Sequence, residues 1–164
     1  MAFNIRACDR TQLPGVLAIY NEAIRGSTAV FSDEEVTLQS REAWLEAKRT
    51  AGYPVLVACD GVEVLGFGTF GDFRAWPGYR FTVEHSLYVD ARHRRRGIGQ
   101  ALLERLIGEA RSLGKHALIA GIEAGNRDSI RLHERLGFRE VGTLHEVGTK
   151  FGRWLDLKFL ERLI

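Results

Sequence analysis

The segment Arg94-Arg95-Arg96-Gly97-Ile98-Gly99 places a run of arginines and two spaced glycines between a strand-like stretch and a long helical one. Residues of these types at such a junction make an anion site. The first turn of a helix presents N–H groups that have no partner inside the helix, and the macrodipole adds positive potential there. Glycines let a pyrophosphate approach the backbone, and Arg92, Arg94, Arg95 and Arg96 supply charge for further phosphates. The competing reading is a solvated basic turn, which carries weight because 19 of the 23 basic residues are arginine. A second glycine-rich stretch, Gly66-Phe67-Gly68-Thr69-Phe70-Gly71, spells GxGxxG but falls inside a strand and opens no helix. Its glycines are expected to serve twist or close packing. No GK[ST] occurs, which excludes a P-loop. Cys8 and Cys59 have no metal-ligand spacing, so no metal is expected.

The elements that must position this turn follow from periodicity. Residues 3–7 alternate as a short strand, and Asp9 offers an N-cap to a helix ending before Gly26. Residues 26–32 read as a loop that places Val30 and Phe31 somewhere protected. A second helix is expected over 37–51. Asp60-Gly61 between two apolar runs, 55–59 and 62–70, is a hairpin signature. A loop rich in Trp, Gly and Pro spans 72–79. The strand over 81–89 then puts Val83, His85, Leu87 and Val89 on one face and Thr82, Glu84, Ser86 and Tyr88 on the other. A long helix over 97–113, a buried strand over 117–122 and a helix capped by Asn126 and closed by Gly137 follow. Two final strands, 139–147 and 151–160, complete an α/β (α+β) chain.

The chain has 164 residues, 23 basic and 21 acidic, for a net charge of +2. That length suits one domain over residues 1–164, able to bury roughly two thirds of its unfolded surface. With 45% hydrophobic and 27% charged residues, disorder and low-complexity readings fail. The near-neutral balance argues against coating nucleic acid. There is no signal-like start and no stretch of the roughly 18–20 apolar residues that a membrane span needs. Two isolated cysteines fit reduced thiols, and the expected location is the cytoplasm.

The turn Arg94-x-x-Gly97-x-Gly99 between a strand and a long helix resembles the acetyl-CoA signature of the GNAT N-acetyltransferases. A second family mark follows as Asn126-x-x-Ser129-x-x-x-His133-x-x-x-Gly137-Phe138. The resemblance covers nearly the whole chain. It implies a GNAT fold, a central mixed but mostly antiparallel twisted sheet of about seven strands flanked by about four helices. Residues 82–89, the Arg74 loop and residues 147–157 look more narrowly like the phosphinothricin acetyltransferase group. The fit is best to its bacterial branch acting on L-methionine sulfoximine and L-methionine sulfone.

The resemblance implies acetyl-CoA contacts at Leu87, Tyr88 and Val89, and at Arg94, Arg95, Arg96, Gly97, Ile98, Gly99 and Gln100, with Asn126 and Arg135 completing them. It implies substrate contacts at Arg74, Ala75 and Trp76 and at Glu84, His85 and Ser86, with Phe31 as a plausible wall. Amine acetylation needs a base, for which Glu84 is the candidate, and an acid for the leaving thiolate, for which His133 or Tyr88 qualifies. A salt-bridged glutamate and a packed histidine are the competing readings. Lys150 and Phe151 are expected to complete the pocket, across an interface if the chain forms the homodimer common in the family. The expected reaction is direct transfer in a ternary complex to the α-amino group of a small amino-acid analogue, phosphinothricin included. A polyamine, aminoglycoside or protein N-terminus is the enzymatic alternative. An RNA- or partner-binding module is the non-enzymatic one.

Overall fold

The computed structural model describes residues 2–164. The elements run β1 (Asn4–Ala7), α1 (Leu13–Gly26), α2 (Leu38–Thr50), β2 (Val55–Asp60), β3 (Glu63–Asp72), β4 (Thr82–Val89), α3 (Ile98–Ser112), β5 (Ala117–Glu123), α4 (Arg127–Arg135), β6 (Arg139–Lys150) and β7 (Arg153–Leu163). The strands form a 7-stranded sheet in the order β1-β2-β3-β4-β5-β7-β6. Every pairing is antiparallel except β4 with β5. Sheet and helix numbers match the expected architecture.

Alternation along the central strands feeds two cores, one on each face. Leu56 and Ala58 of β2 and Val83 of β4 join Leu102, Leu103 and Leu106 of α3. Val55, Val57 and Cys59 join Leu13 and Val16 of α1 and Leu45 of α2. The run 55–59 is apolar throughout because β2 is buried on both faces. No helix among the described residues is long and apolar enough to cross a membrane.

Two local differences from the sequence reading have clear causes. Asp9 does act as an N-cap, with Gln12 closing a capping box, but it caps a 3-10 turn over Arg10–Gln12 before α1 starts. The last hairpin is longer than expected. Its turn is Phe151–Gly152, at φ +53° and +71°, which joins β6 and β7 in the manner of a type I′ turn. A phenylalanine in that left-handed conformation is unusual, and this hid the turn from sequence reading.

The meeting of β4 and β5 positions the site. They pair only over residues 82–84 with 117–119, although β4 continues to Val89 and β5 to Glu123. Beyond Glu84 the two strands have parted, while β4 stays paired to β3 on its other side as far as Val89. A gap therefore opens within the sheet.

The GxGxxG segment lies in β3, as its context required. A Cβ on Gly66 would lie 2.9 Å from the Tyr88 carbonyl oxygen and 3.2 Å from Ile98 Cγ2. The bare glycine lets α3 settle onto the sheet. Gly66→Ala is expected to cost about 1–3 kcal/mol through overpacking. Urea unfolding should show a lower midpoint at unchanged slope.

Candidate active site

The turn before α3 is built from two left-handed residues, Arg95 at φ +61° and Gly97 at φ +78°. Gly97 stands at the N-cap position and no side chain caps the helix, so the first-turn N–H groups face outward. They open onto a groove of about 1250 Å³. Arg94, Arg95, Gly97, Ile98, Gly99 and Gln100 line it, joined by Leu87, Tyr88 and Val89 from β4 and by Asn126 and Arg135 from α4. Gly99 serves packing as well, since a Cβ there would stand 3.3 Å from Leu132 Cδ2 of α4.

The arginines divide their work. Arg92 is bound to Asp90 at 2.7 Å and to Glu63 at 3.4 Å, and Arg96 Nη1 lies 3.0 Å from His93 Nδ1. Neither lines the groove, whereas Arg94 and Arg95 of the same turn do. Of the four arginines that sequence reading aimed at one ligand, two line the groove and two are engaged by neighbours. Asp90, nearly buried, draws Arg92 back and also accepts from its backbone N–H.

The groove runs into a smaller cavity of about 290 Å³ at the sheet gap. Leu87 and Tyr88 line both. Glu84, His85 and Ser86 enter from β4, Gly121 from β5, and Val30 and Phe31 from the loop after α1. Adjacent strand residues face opposite sides, yet Glu84 and His85 both reach this cavity because it fills the space between parted strands. Glu84 lies against Gly121, where a Cβ would come within 2.9 Å of its Oε1. Burial pushes the Glu84 carboxyl pKa up, and the Arg74 guanidinium opposes this.

His133 of α4 reaches the cavity floor, and both its ring nitrogens are engaged. Nδ1 lies 2.7 Å from the Ser129 carbonyl oxygen and Nε2 lies 2.8 Å from His85 Nε2. A carbonyl only accepts, so His133 Nδ1 carries the hydrogen, its Nε2 accepts and His85 Nε2–H donates. His85 Nδ1 is then left buried without a hydrogen-bond partner. Burial lowers both imidazole pKa values. His85 drops to about 3, pushed further by His133 and opposed by the Ile119 backbone, while the Ser129 carbonyl opposes the shift in His133. The expected proton donation by His133 would need an N–H free of these partners, and this arrangement leaves none.

Tyr88 packs against Phe67 and edge-on to Tyr20, and burial raises its phenol pKa, which keeps it protonated. Asn126 Oδ1 caps α4 by accepting from Ser129 N–H, which leaves its two amide N–H groups for a ligand. Arg74, Ala75 and Trp76 sit in the exposed loop before β4 and line neither space, with Trp76 75% exposed. Arg74 is nonetheless close enough for its charge to act on Glu84. Lys150, expected in the pocket, is buried against loop carbonyls.

Glu123, which sequence reading passed over, lines both spaces and accepts from Thr28 Oγ1 and Gly125 N–H, each at 2.9 Å. Its signal was a lone acid at the carboxyl end of a buried strand, where open sheets gather ligands.

A mixed sheet parted beside an uncapped helix start, with a half-buried carboxylate at the parting, suits an acyltransferase that draws on a nucleotide cofactor. The chain belongs to the acetyltransferase (GNAT) family, matched over residues 16–138. It is 49% identical over 162 residues to the L-methionine sulfoximine/L-methionine sulfone acetyltransferase of Pseudomonas paraeruginosa, covering 98% of this chain and 94% of that protein. A ribosomal-protein-alanine N-acetyltransferase from Brucella melitensis superposes with TM-score 0.97 at 47% identity, covering 98% of this chain and 99% of that one. A putative acetyltransferase from Salmonella typhimurium, solved with its cofactor acetyl-CoA, superposes with TM-score 0.96 at 45% identity, covering 99% and 94%.

The two neutral imidazoles carry a pH consequence. Their folded pKa values lie below the ordinary 6.5, so below that pH the unfolded chain binds protons that the folded chain refuses. Stability is therefore complete above about pH 6.5 and declines as pH falls. Urea midpoints measured between about pH 8 and 5 are expected to be flat and then fall. The fall should flatten in a His85→Leu/His133→Leu double variant.

Proposed function

We propose that this N-acetyltransferase transfers the acetyl group of acetyl-CoA to the α-amino group of small amino-acid analogues. L-methionine sulfoximine, L-methionine sulfone and phosphinothricin are the expected acceptors, and the cytoplasm is the expected compartment. The free, buried Cys8 and Cys59 suit reducing surroundings. The observation that carries the reading is Glu84, half-buried against Gly121 where β4 and β5 part.

The donor set fits acetyl-CoA: outward N–H groups at α3, Arg94 and Arg95 for phosphates, and an elongated groove ending at the sheet gap. Acetyl-CoA, when bound, supplies a thioester whose carbonyl carbon accepts the amine and whose sulfur leaves as thiolate. Glu84 takes the proton from the amine, directly or through a water, and burial gives it a basicity suited to that task. Backbone groups of β4 beyond Glu84 have no β5 partner, so they can align the thioester and steady the charge on its oxygen. Tyr88, protonated and lining both spaces, donates to the departing sulfur. His133 and His85 set the cavity floor. Both substrates are held together, acceptor on the Phe31 side and cofactor on the α4 side, which is the arrangement of a ternary complex. Arg74 serves the acceptor carboxylate.

A cavity of about 290 Å³ stands at the small end for ligand sites and favours a single amino acid over a polypeptide end. The pairing of Arg92 with Asp90 and Glu63 weakens the alternative of a basic nucleic-acid module.

The homodimer is supported by the β6–β7 hairpin. Val141, Leu144, Val147, Phe151 and Trp154 are each at least 48% exposed there, a concentration that monomers seldom leave uncovered. A second copy is the proposed cover. Light scattering should return twice the 18.4 kDa chain mass, and Trp154→Glu should return one chain.

Glu84→Gln is expected to lower kcat by about 10²–10⁴. Glu84 must be ionised to act, so the rate rises with pH through a pKa above the ordinary 4.5, and this acidic limb disappears in the variant. Thiol release across a panel of amines tests the acceptor. Preference for a polyamine or an alanyl peptide over methionine sulfone would overturn the acceptor assignment.

A further inference from the structure

Lys150 ends β6 and is only 2% exposed. Its ammonium donates to three backbone carbonyls: Ile24 at 2.6 Å, Ser27 at 2.6 Å and Val30 at 2.8 Å. These use all three N–H groups. The Ile24 carbonyl lies in the last turn of α1, so the charge also sits at the negative end of that helix. Burial lowers the ammonium pKa and Asp33 opposes the shift.

Two of the carbonyls, Ser27 and Val30, belong to the segment that leaves α1 and carries Ala29, Val30 and Phe31 along the inner cavity, and Ile24 lies in the helical turn just before it. This segment has neither helix nor strand, so its position depends on bonds from elsewhere. Thr28 Oγ1 is tied to Glu123 on one side. On the other, β6 holds it twice. Two residues before Lys150, a Cβ on Gly148 would fall 2.3 Å from Phe31 Cδ2, so the Phe31 ring lies on a bare backbone. The Phe151–Gly152 turn fixes the end of the strand from which Lys150 reaches inward.

We infer that Lys150 is a specificity-determining positioning residue, whose ammonium holds residues 27–31 so that Val30 and Phe31 wall the acceptor cavity opposite Glu84. The inference rests on the inner cavity being the acceptor site. Lys150 touches neither substrate in this scheme. It acts through the loop carbonyls, and it does so only while they converge on one point. A lysine that merely stabilised the fold would lower stability without separating acceptor from cofactor binding.

The test compares wild type with Lys150→Met by amide exchange, steady-state kinetics and calorimetric CoA binding. Exchange at residues 27–31 should quicken by about tenfold or more as their anchor is lost. Acceptor KM should rise by about tenfold, with CoA affinity held within about threefold. Phe31→Ala added to Lys150→Met should raise KM little further, because both remove one wall. Folded Lys150→Met with exchange and acceptor KM within about twofold of wild type would overturn the inference. So would equal losses in acceptor and CoA binding. If the methionine variant does not fold, Lys150→Gln, neutral but with two N–H donors, carries the same comparison. If wild type acetylates no amino-acid analogue, the acceptor reading falls, while the exchange result still decides whether Lys150 holds the segment.

Discussion

Parallel pairing of β4 with β5 ends after residues 82–84 meet 117–119, and the site depends on that early stop. Had the two strands stayed paired to Val89 and Glu123, their backbone groups would have satisfied one another and closed the sheet. Instead β4 keeps β3 along one edge and leaves its other edge open. The same parting brings side chains from both faces of β4, and His133 of α4, into one cavity.

Such a gap exposes polar backbone and invites buried charge, and the chain accepts several costs at this place. Glu84 is held partly away from water, which opposes its ionised form. His85 keeps one ring nitrogen without a partner. Lys150 is buried as an ammonium, with three carbonyls offsetting its lost hydration. Arg95 and Phe151 occupy left-handed backbone that side chains rarely adopt, at a cost on the order of 1–3 kcal/mol each. The side-chain costs gather around the inner cavity and the loop beside it, while Arg95 lies on the outer groove and Phe151 at the hairpin turn. The two apolar cores supply the rigidity that the site draws on.

The glycines of this chain divide by purpose. Gly97 is needed for its backbone angle, and Gly66 for the absence of a side chain under α3. Gly121 and Gly148 clear space for Glu84 and for the Phe31 ring. A glycine in a strand is usually a weakness, and here two of them set where a carboxylate and an aromatic ring can stand.

What the sequence determined alone was substantial. Periodicity, apolar runs and turn residues located all seven strands and four helices, and the Arg94–Gly99 motif and the Asn126 cap fall on one groove. These signals are local, written in consecutive residues, and so survive without a fold. The sequence could not tell which arginines serve a ligand, because Asp90 and Glu63 claim Arg92 through contacts that spacing does not encode. Nor could it pair His85 with His133, 48 residues away, or send Lys150 to carbonyls more than 100 residues earlier. Proton placement and wall positions follow from which groups meet in a low-dielectric interior. Only the tertiary structure decides that, because side chains distant in sequence must first be packed together before one can set another's charge.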